Sequence, residues 1–329
     1  AVWAAFEGAK SLQGRIGGDP TLFPRDQYTW HLCFPQGWVW WIPQVSWADA
    51  PQRNLDRAYR RLLREGRLPD RAELEALGCP RHERLSLGLV VRSDRDDLGV
   101  ARDPDEAFAE ARRRMPLLDS LLEGATLVPD LGPQGPWMQR KNLRGHAREV
   151  VGDGWLAVGD AAFFVDPLIS PGLTGGTATA WQAAHHLATA LDGRVTAAEL
   201  DGYQTFTRRL HQALELDNQL VYHSFDHPEL VALVQRFQEV AARAHFLAGA
   251  AEYGAADTNV WGVLDADYAE RAAHLHGLLA SRARELDARV PVREQRAADH
   301  AETVRLVRGL LGDHLAANVH LTPYVRSSP

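Results

Sequence analysis

Apolar and polar positions follow three textures along this 329-residue chain. In the first, residues 27 to 47 read QYTWHLCFPQGWVWWIPQVSW, two aromatic-rich runs around Pro35-Gln36-Gly37, which predicts a hairpin. Within the second run Trp38, Trp40 and Ile42 fall on one face and Val39 and Trp41 on the other, so the strand is expected to be buried on both sides and to end at Pro43. Residues 53 to 77 predict a helix or helical pair, broken near Pro69 and closed at Gly78-Cys79-Pro80. LSLGLVV, residues 85 to 91, is a further short strand. DPDEAFAEARRRMPLLDSLLEGA predicts a helix capped by Asp103, opened by Pro104, kinked at Pro116 and ended at Gly124.

The second texture is brief. WLAV, residues 155 to 158, predicts a hydrophobic strand, followed by GDAAFFVDPLISPGLTGG over 159 to 176 and a long helix from about Leu173 to Leu191. In the third, from Ala197 to Leu315, apolar residues recur at helical spacing and the breaks fall at Pro228, Gly254, Gly262 and Pro291. The last stretch, HLTPYVRSSP, is expected to be a surface tail.

Composition narrows the picture. With 45% hydrophobic residues the chain can fill one large core or two modest ones. A net charge of -7 speaks against a nucleic-acid partner, since phosphate neutralisation needs a dense basic surface. Cys33 and Cys79 are too few and too far apart for a disulfide framework or metal knuckle, so a reducing cytoplasm is expected and no metal site is assigned. No apolar run has the length of a membrane span, and no membrane partner is expected.

The segment after residue 158 carries the chemistry. A strand ending at Gly159 would leave Asp160 at a sheet edge, where its carboxylate either accepts hydrogen bonds from a polyol or caps a turn. SPGLTGGTATA opens the following helix with Gly172, Gly175 and Gly176, although an internal glycine costs about 1 kcal/mol relative to alanine. That loss is tolerated where another body comes close, either a ligand at the helix start or the sheet beneath.

GWLAVGDAAFFVDPLISPG resembles the C-terminal flavin motif of the FAD-dependent halogenases and their monooxygenase relatives. Trp38 to Pro43 fit the halogenase pattern WxWxIP at every fixed position, and GDAxxFxDPxxSxG follows it in order. The resemblance covers roughly residues 1 to 195. It implies an α/β (α+β) fold of the monooxygenase/halogenase type: a mixed, largely antiparallel substrate-side sheet over 1–145, a returning flavin-site strand and helix over 146–192, and a helical C-terminal domain over 193–329. It further implies that Asp160 meets the FAD ribitol, with Gly159, Asp166, Pro167, Ser170, Pro171, Gly172 and Leu173 completing the flavin site near where halogenases hold chloride. Trp38 and Trp40 would flank the tunnel that keeps substrate from the reactive flavin, so that hypohalous acid forms; as residues alone they read equally as core tryptophans.

Departures from the family pattern qualify the resemblance. These families begin with a βαβ unit carrying GxGxxG, which this sequence lacks, and residue 1 corresponds to a point well inside the family fold. Neither Lys10 nor Lys141 matches the context of the family's catalytic lysine. Ile169 stands where tryptophan halogenases carry glutamate, which points to phenol- or pyrrole-type substrates, carrier-tethered in some members. Phe163 replaces a small residue or cysteine, and Pro171 replaces serine or threonine and removes one N–H. His223, Asp226 and His227 form an acid-base cluster read first as capping.

The expected function is therefore that of a halogenase-like oxidoreductase using FAD, reduced by a separate flavin reductase, on a small aromatic substrate, incomplete or weakly flavin-binding as this chain. The alternatives are a flavin monooxygenase or isoprenoid-reductase relative, and a non-catalytic remnant that binds an apolar ligand or a protein.

Overall fold

The computed structural model describes residues 1–12, 29–46, 50–67, 70–79, 82–100, 103–129, 135–191, 196–249, 262–288 and 293–317. The expected breaks at Pro69, Pro80, Gly254 and Pro291 and the tail from residue 320 lie outside them. The chain divides into two units, Ala1–Lys141 and Asn142–Pro329.

The first unit is built on β1 (Val2–Glu7), β2 (Trp30–Phe34), β3 (Gly37–Ser46), α1 (Gln52–Glu65), α2 (Arg71–Ala76), β4 (His82–Val91), α3 (Pro104–Arg114), α4 (Pro116–Leu121), β5 (Thr126–Leu127) and β6 (Met138–Gln139). The sheet runs β2-β3-β4-β1-β5, with β6 also pairing with β1, and each of these pairings is antiparallel. The hairpin forms about Pro35 and Gln36 as the residue pattern predicts, with Trp30 opposite Trp41 and Phe34 opposite Gly37. Pro43 does not end β3. The strand continues to Ser46, pairing Pro43 with Leu85 and Ser46 with His82, whereas among the described residues the β2 pairing runs to Trp41. A proline is tolerated in a strand where one side asks for no ladder donor.

Alternation along β3 and β4 divides the sheet into two faces. Val2, Val39, Trp41, Leu85, Leu87 and Leu89 pack under Ala107, Phe108 and Ala111 of α3 and Leu118 and Leu121 of α4. Burial of each large apolar side chain contributes roughly 1.5–3 kcal/mol before entropy is counted. Asp103 caps α3, accepting from the N–H groups of Asp105 and Glu106 at 2.9 and 3.2 Å. Instead of a kink, Pro116 produces two helices: Met115 before it is extended, at φ -120° and ψ 86°, because the α conformation is sterically disfavoured ahead of proline.

The second unit contains short strands β7 (Gly145–His146), β8 (Val151–Gly152), β9 (Trp155–Leu156) and β10 (Phe163–Phe164), then α5 (Gly172–Leu191), α6 (Ala197–Ser224), α7 (Pro228–Gly249), α8 (Ala266–Ala288) and α9 (Arg293–Ala317). The strand expected over 155 to 158 is only two residues long, a hairpin with β8, and β10 pairs with β7. Among the described residues, four helices occupy the region expected to be helical, with breaks at Pro228 and Gly262. They bury Leu210, Leu214, Leu220, Phe237, Leu275 and Leu311. Inside them Tyr268 donates to the Asp217 carboxylate and stacks on Phe237, ring centroids 4.7 Å apart. Burial pushes Asp217 up to about 7. No described helix is long and apolar enough to cross a membrane.

Candidate functional site

The sequence around Gly159 sets a turn rather than a strand edge. Gly159, Asp160 and Ala161 form one turn of 3-10 helix, and Gly159 adopts φ +55°, a left-handed conformation that costs an L-residue about 1–2 kcal/mol. Its N–H donates to the Thr179 hydroxyl at 2.9 Å, and that hydroxyl lies 3.0 and 2.9 Å from the carbonyls of Gly175 and Gly176. The strap draws the turn against α5, so that a methyl group at residue 159 would stand 3.7 Å from the Cα of Gly176. The glycines admit close packing within the protein: Gly176 faces the turn, and Gly175 meets the ring edge of Phe163.

Beyond the turn, Asp166 holds the chain in place. Its carboxylate accepts from the Leu168 N–H at 3.0 Å and the Tyr222 hydroxyl at 2.9 Å, while its carbonyl accepts from Asn218 at 3.0 Å. Asp166 thereby caps a second 3-10 turn, Pro167–Ile169, and burial pushes its carboxyl up to about 6. Ser170 follows at φ +54°, its N–H bonded to Pro167 at 2.8 Å, and Pro171 accepts from Gly175 to begin α5.

Gly159, Asp160, Phe163, Pro171, Gly172 and Gly176 line one open hollow. Asp160 is exposed at its mouth, and Gly172 and Leu173 are exposed where α5 begins. Of the residues expected at the flavin site, then, Gly159, Asp160, Pro171 and Gly172 share the hollow, whereas the Asp166 carboxylate turns inward to α6. A helix start presents N–H groups without intrahelical acceptors, and together with an exposed carboxylate and bare glycine backbone this donor set suits the polar edge of a flat heterocycle and an attached polyol, as FAD has. Along α5 a stripe of apolar side chains stays open: Leu173 is 90% exposed, Trp181 56% and Leu187 53%.

Trp38 and Trp40 belong to the first unit, on the sheet face opposite α3 and α4. Trp38 is 1% exposed and its ring centroid lies 5.8 Å from that of Trp40. His31, across the hairpin, lies 4.7 Å from Trp38 with its ring tilted by 53°, and burial holds its imidazole down to about 4. Trp40 donates to the Ser86 hydroxyl at 3.3 Å and meets Trp3 of β1 at 5.9 Å.

Reading by residue type missed Thr179, Tyr222 and Asn218, which hold the turn, and His31, Ser86, Gly88 and Trp3, which surround the indoles. The small residues Ser86 and Gly88, alternating with leucines in LSLGLVV, were a legible sign that something large lies across β4. His227 accepts from the Glu229 N–H at 3.3 Å at the start of α7, the capping arrangement expected of it.

No family model matches the chain. It is similar to the flavin-dependent halogenase malA of Malbranchea aurantiaca, 33% identical over 202 residues, covering 56% of this chain and 29% of that protein. It is also similar to a tryptophan 2-halogenase of Chondromyces crocatus, 27% identical over 227 residues, covering 68% of this chain and 33% of that protein. Among solved structures, halogenase PltM in complex with phloroglucinol and FAD shares the fold, with a TM-score of 0.62 at 15% identity over 96% of this chain and 57% of that one. The chain therefore spans about a third of the length of the curated relatives it matches.

Proposed function

We infer the activity from kinship: the chain is related to the flavin-dependent halogenases. On that premise it carries the substrate-side sheet and the second part of the flavin site of a halogenase, and acts on an electron-rich aromatic ring of the phenol or pyrrole type, free or carrier-bound. The observation that carries this reading is the glycine-lined turn at 159–176, with Asp160 exposed beside the start of α5. Binding of phloroglucinol and FAD by PltM supports the substrate class by analogy.

Asp160 accepts hydrogen bonds from the ribitol hydroxyls, and Gly159, Pro171, Gly172 and Leu173 bring bare backbone and an open helix start to the ring edge. Asp166, Pro167 and Ser170 shape the turn from behind. Ile169 offers no carboxylate to the substrate, which suits a ring reactive enough to need no base. Trp38 and Trp40 wall a substrate passage, the tunnel-shaping role that the WxWxIP pattern implies for them. Reduced FAD, delivered by a separate reductase, supplies when bound the electrons through which dioxygen oxidises chloride or bromide.

Flavin titration with product analysis tests the reading. Asp160→Ala is expected to weaken flavin binding roughly 10- to 100-fold, the worth of one or two hydrogen bonds to a charged group. Turnover of a phenol in the presence of bromide is expected to give a brominated ring. Hydroxylated product alone would indicate a monooxygenase, and unchanged flavin binding by Asp160→Ala would remove the turn from the site.

A further inference from the structure

We propose that Gly88, Ser86 and Trp3 are positioning residues for Trp40, and that together they fix the orientation of the indole row on the sheet face opposite α3 and α4. The functional part of this proposal rests on the reading that Trp40 walls the passage; the positional part does not.

Register brings these residues together. Gly88 on the central strand β4 is paired with Trp40 of β3 on one side and Trp3 of β1 on the other. Adjacent strands lie about 4.8 Å apart, so the backbones of Trp3 and Trp40 are separated by roughly twice that distance. Their ring centroids are nevertheless only 5.9 Å apart, because the two indoles lean together over the bare backbone of residue 88. A methyl group built at Gly88 would fall inside the Trp40 ring, overlapping Cζ2, Cε2 and Cη2. Among the described glycines of this sheet, Gly88 is the one whose missing side chain is replaced by an indole.

Two further contacts select one orientation. Ser86, two residues along the same face of β4, accepts the Trp40 Nε1–H at 3.3 Å and defines which edge of the indole points along the strand. Trp38, 5.8 Å away, closes the other side. The result is a continuous row of rings, Trp3, Trp40, Trp38 and His31, with centroid steps of 5.9, 5.8 and 4.7 Å across four strands. Aromatic pairs at such separations are held by their quadrupoles as well as by burial. A ring locked by four neighbours has one rotamer, and walls of fixed shape discriminate between substrates where mobile ones do not.

Gly88→Ala, Trp40→Ala and the double variant of the full chain decide the positional part by thermal unfolding and near-ultraviolet circular dichroism. Gly88→Ala alone is expected to lower the melting temperature by roughly 2–10 °C, the range for overpacking, and to abolish the tryptophan couplet. In the Trp40→Ala background the same substitution is expected to leave the melting temperature within about 1 °C. Equal losses in both backgrounds would overturn the proposal. Should Gly88→Ala not fold, Ser86→Ala retains the packing, and an unaltered tryptophan couplet in that variant would refute the orienting role of the hydroxyl.

The functional part is read in flavin-loaded enzyme as halogenated product per dioxygen consumed. Gly88→Ala and Trp40→Ala are expected to lower this ratio by similar factors, about tenfold or more, with flavin affinity unchanged. If Trp40→Ala leaves the ratio intact, the passage reading fails while the double-variant result still stands; if Trp40→Ala lowers it and Gly88→Ala does not, the positioning role fails alone.

Discussion

The indole-bearing sheet of the first unit and the glycine-bearing turn of the second carry their motifs in opposite ways. On the sheet, motif side chains are fixed by other side chains: Trp38 is buried, and each ring in its row touches the next. In the turn, motif residues are fixed through their backbones, by Thr179, Asn218 and the carboxylate of Asp166, and their outward surfaces are left free. The first arrangement spends apolar area on a rigid wall. The second keeps N–H groups and a carboxylate available to something else. A difference of this kind is what would be expected if one region shapes a space and the other grips a ligand.

Substitutions that strike one side of this contrast should separate stability from binding. The largest effect is expected from Trp38→Ala, which removes a fully buried indole and should destabilise the chain by about 3–5 kcal/mol, measured by denaturant unfolding. If the loss is below about 1 kcal/mol, the sheet face is not the packed wall described.

An intermediate effect belongs to Asp166. Its folded pKa of about 6 lies above the ordinary carboxyl value, so the protonated form is the one folding favours. Its contribution is therefore complete below about pH 4 and is lost as pH rises through about 6, on the order of 1–3 kcal/mol in all. Asp166→Asn should flatten that part of the stability profile between pH 4 and 7, read by melting temperature against pH; a profile with the same slope in both proteins would locate the titration elsewhere.

The smallest stability effect is expected at Leu173. With its side chain 90% exposed, Leu173→Ser should change unfolding free energy by no more than about 0.5 kcal/mol. Flavin binding should nonetheless weaken, by roughly tenfold for a lost apolar contact of that size. Loss of stability without loss of binding would reverse the contrast between the two regions.

Much of the first unit was legible from residue order. Alternation in WVWWIP gave both faces of β3, and the Pro35-Gln36-Gly37 turn gave its hairpin, because short-range pattern and turn chemistry agree there. Pro43 misled, since the cost of a proline depends on whether a neighbouring strand wants its donor, which is a property of the sheet and not of the residue. In the second unit the motif itself was visible, as were Gly159 and Asp160. Its supports were not: a serine or threonine hydroxyl such as Thr179, or a phenol such as Tyr222, carries no periodic signal, and its partner is known only when distant segments meet. Asp166 showed the same limit from the other side, a motif aspartate whose carboxylate turns to α6.

Those supports have a consequence for how the turn comes into being. Tyr203 donates to the Ala157 carbonyl across 46 residues, Asn218 to Asp166 across 52, Gln204 accepts from Val150 across 54 and Tyr222 reaches Asp166 across 56. All four belong to one helix, α6, so the motif loop is cast in a mould made later in the chain. A nascent polypeptide that has emerged only as far as Leu191 holds the whole motif and the Thr179 strap but lacks every support that α6 supplies.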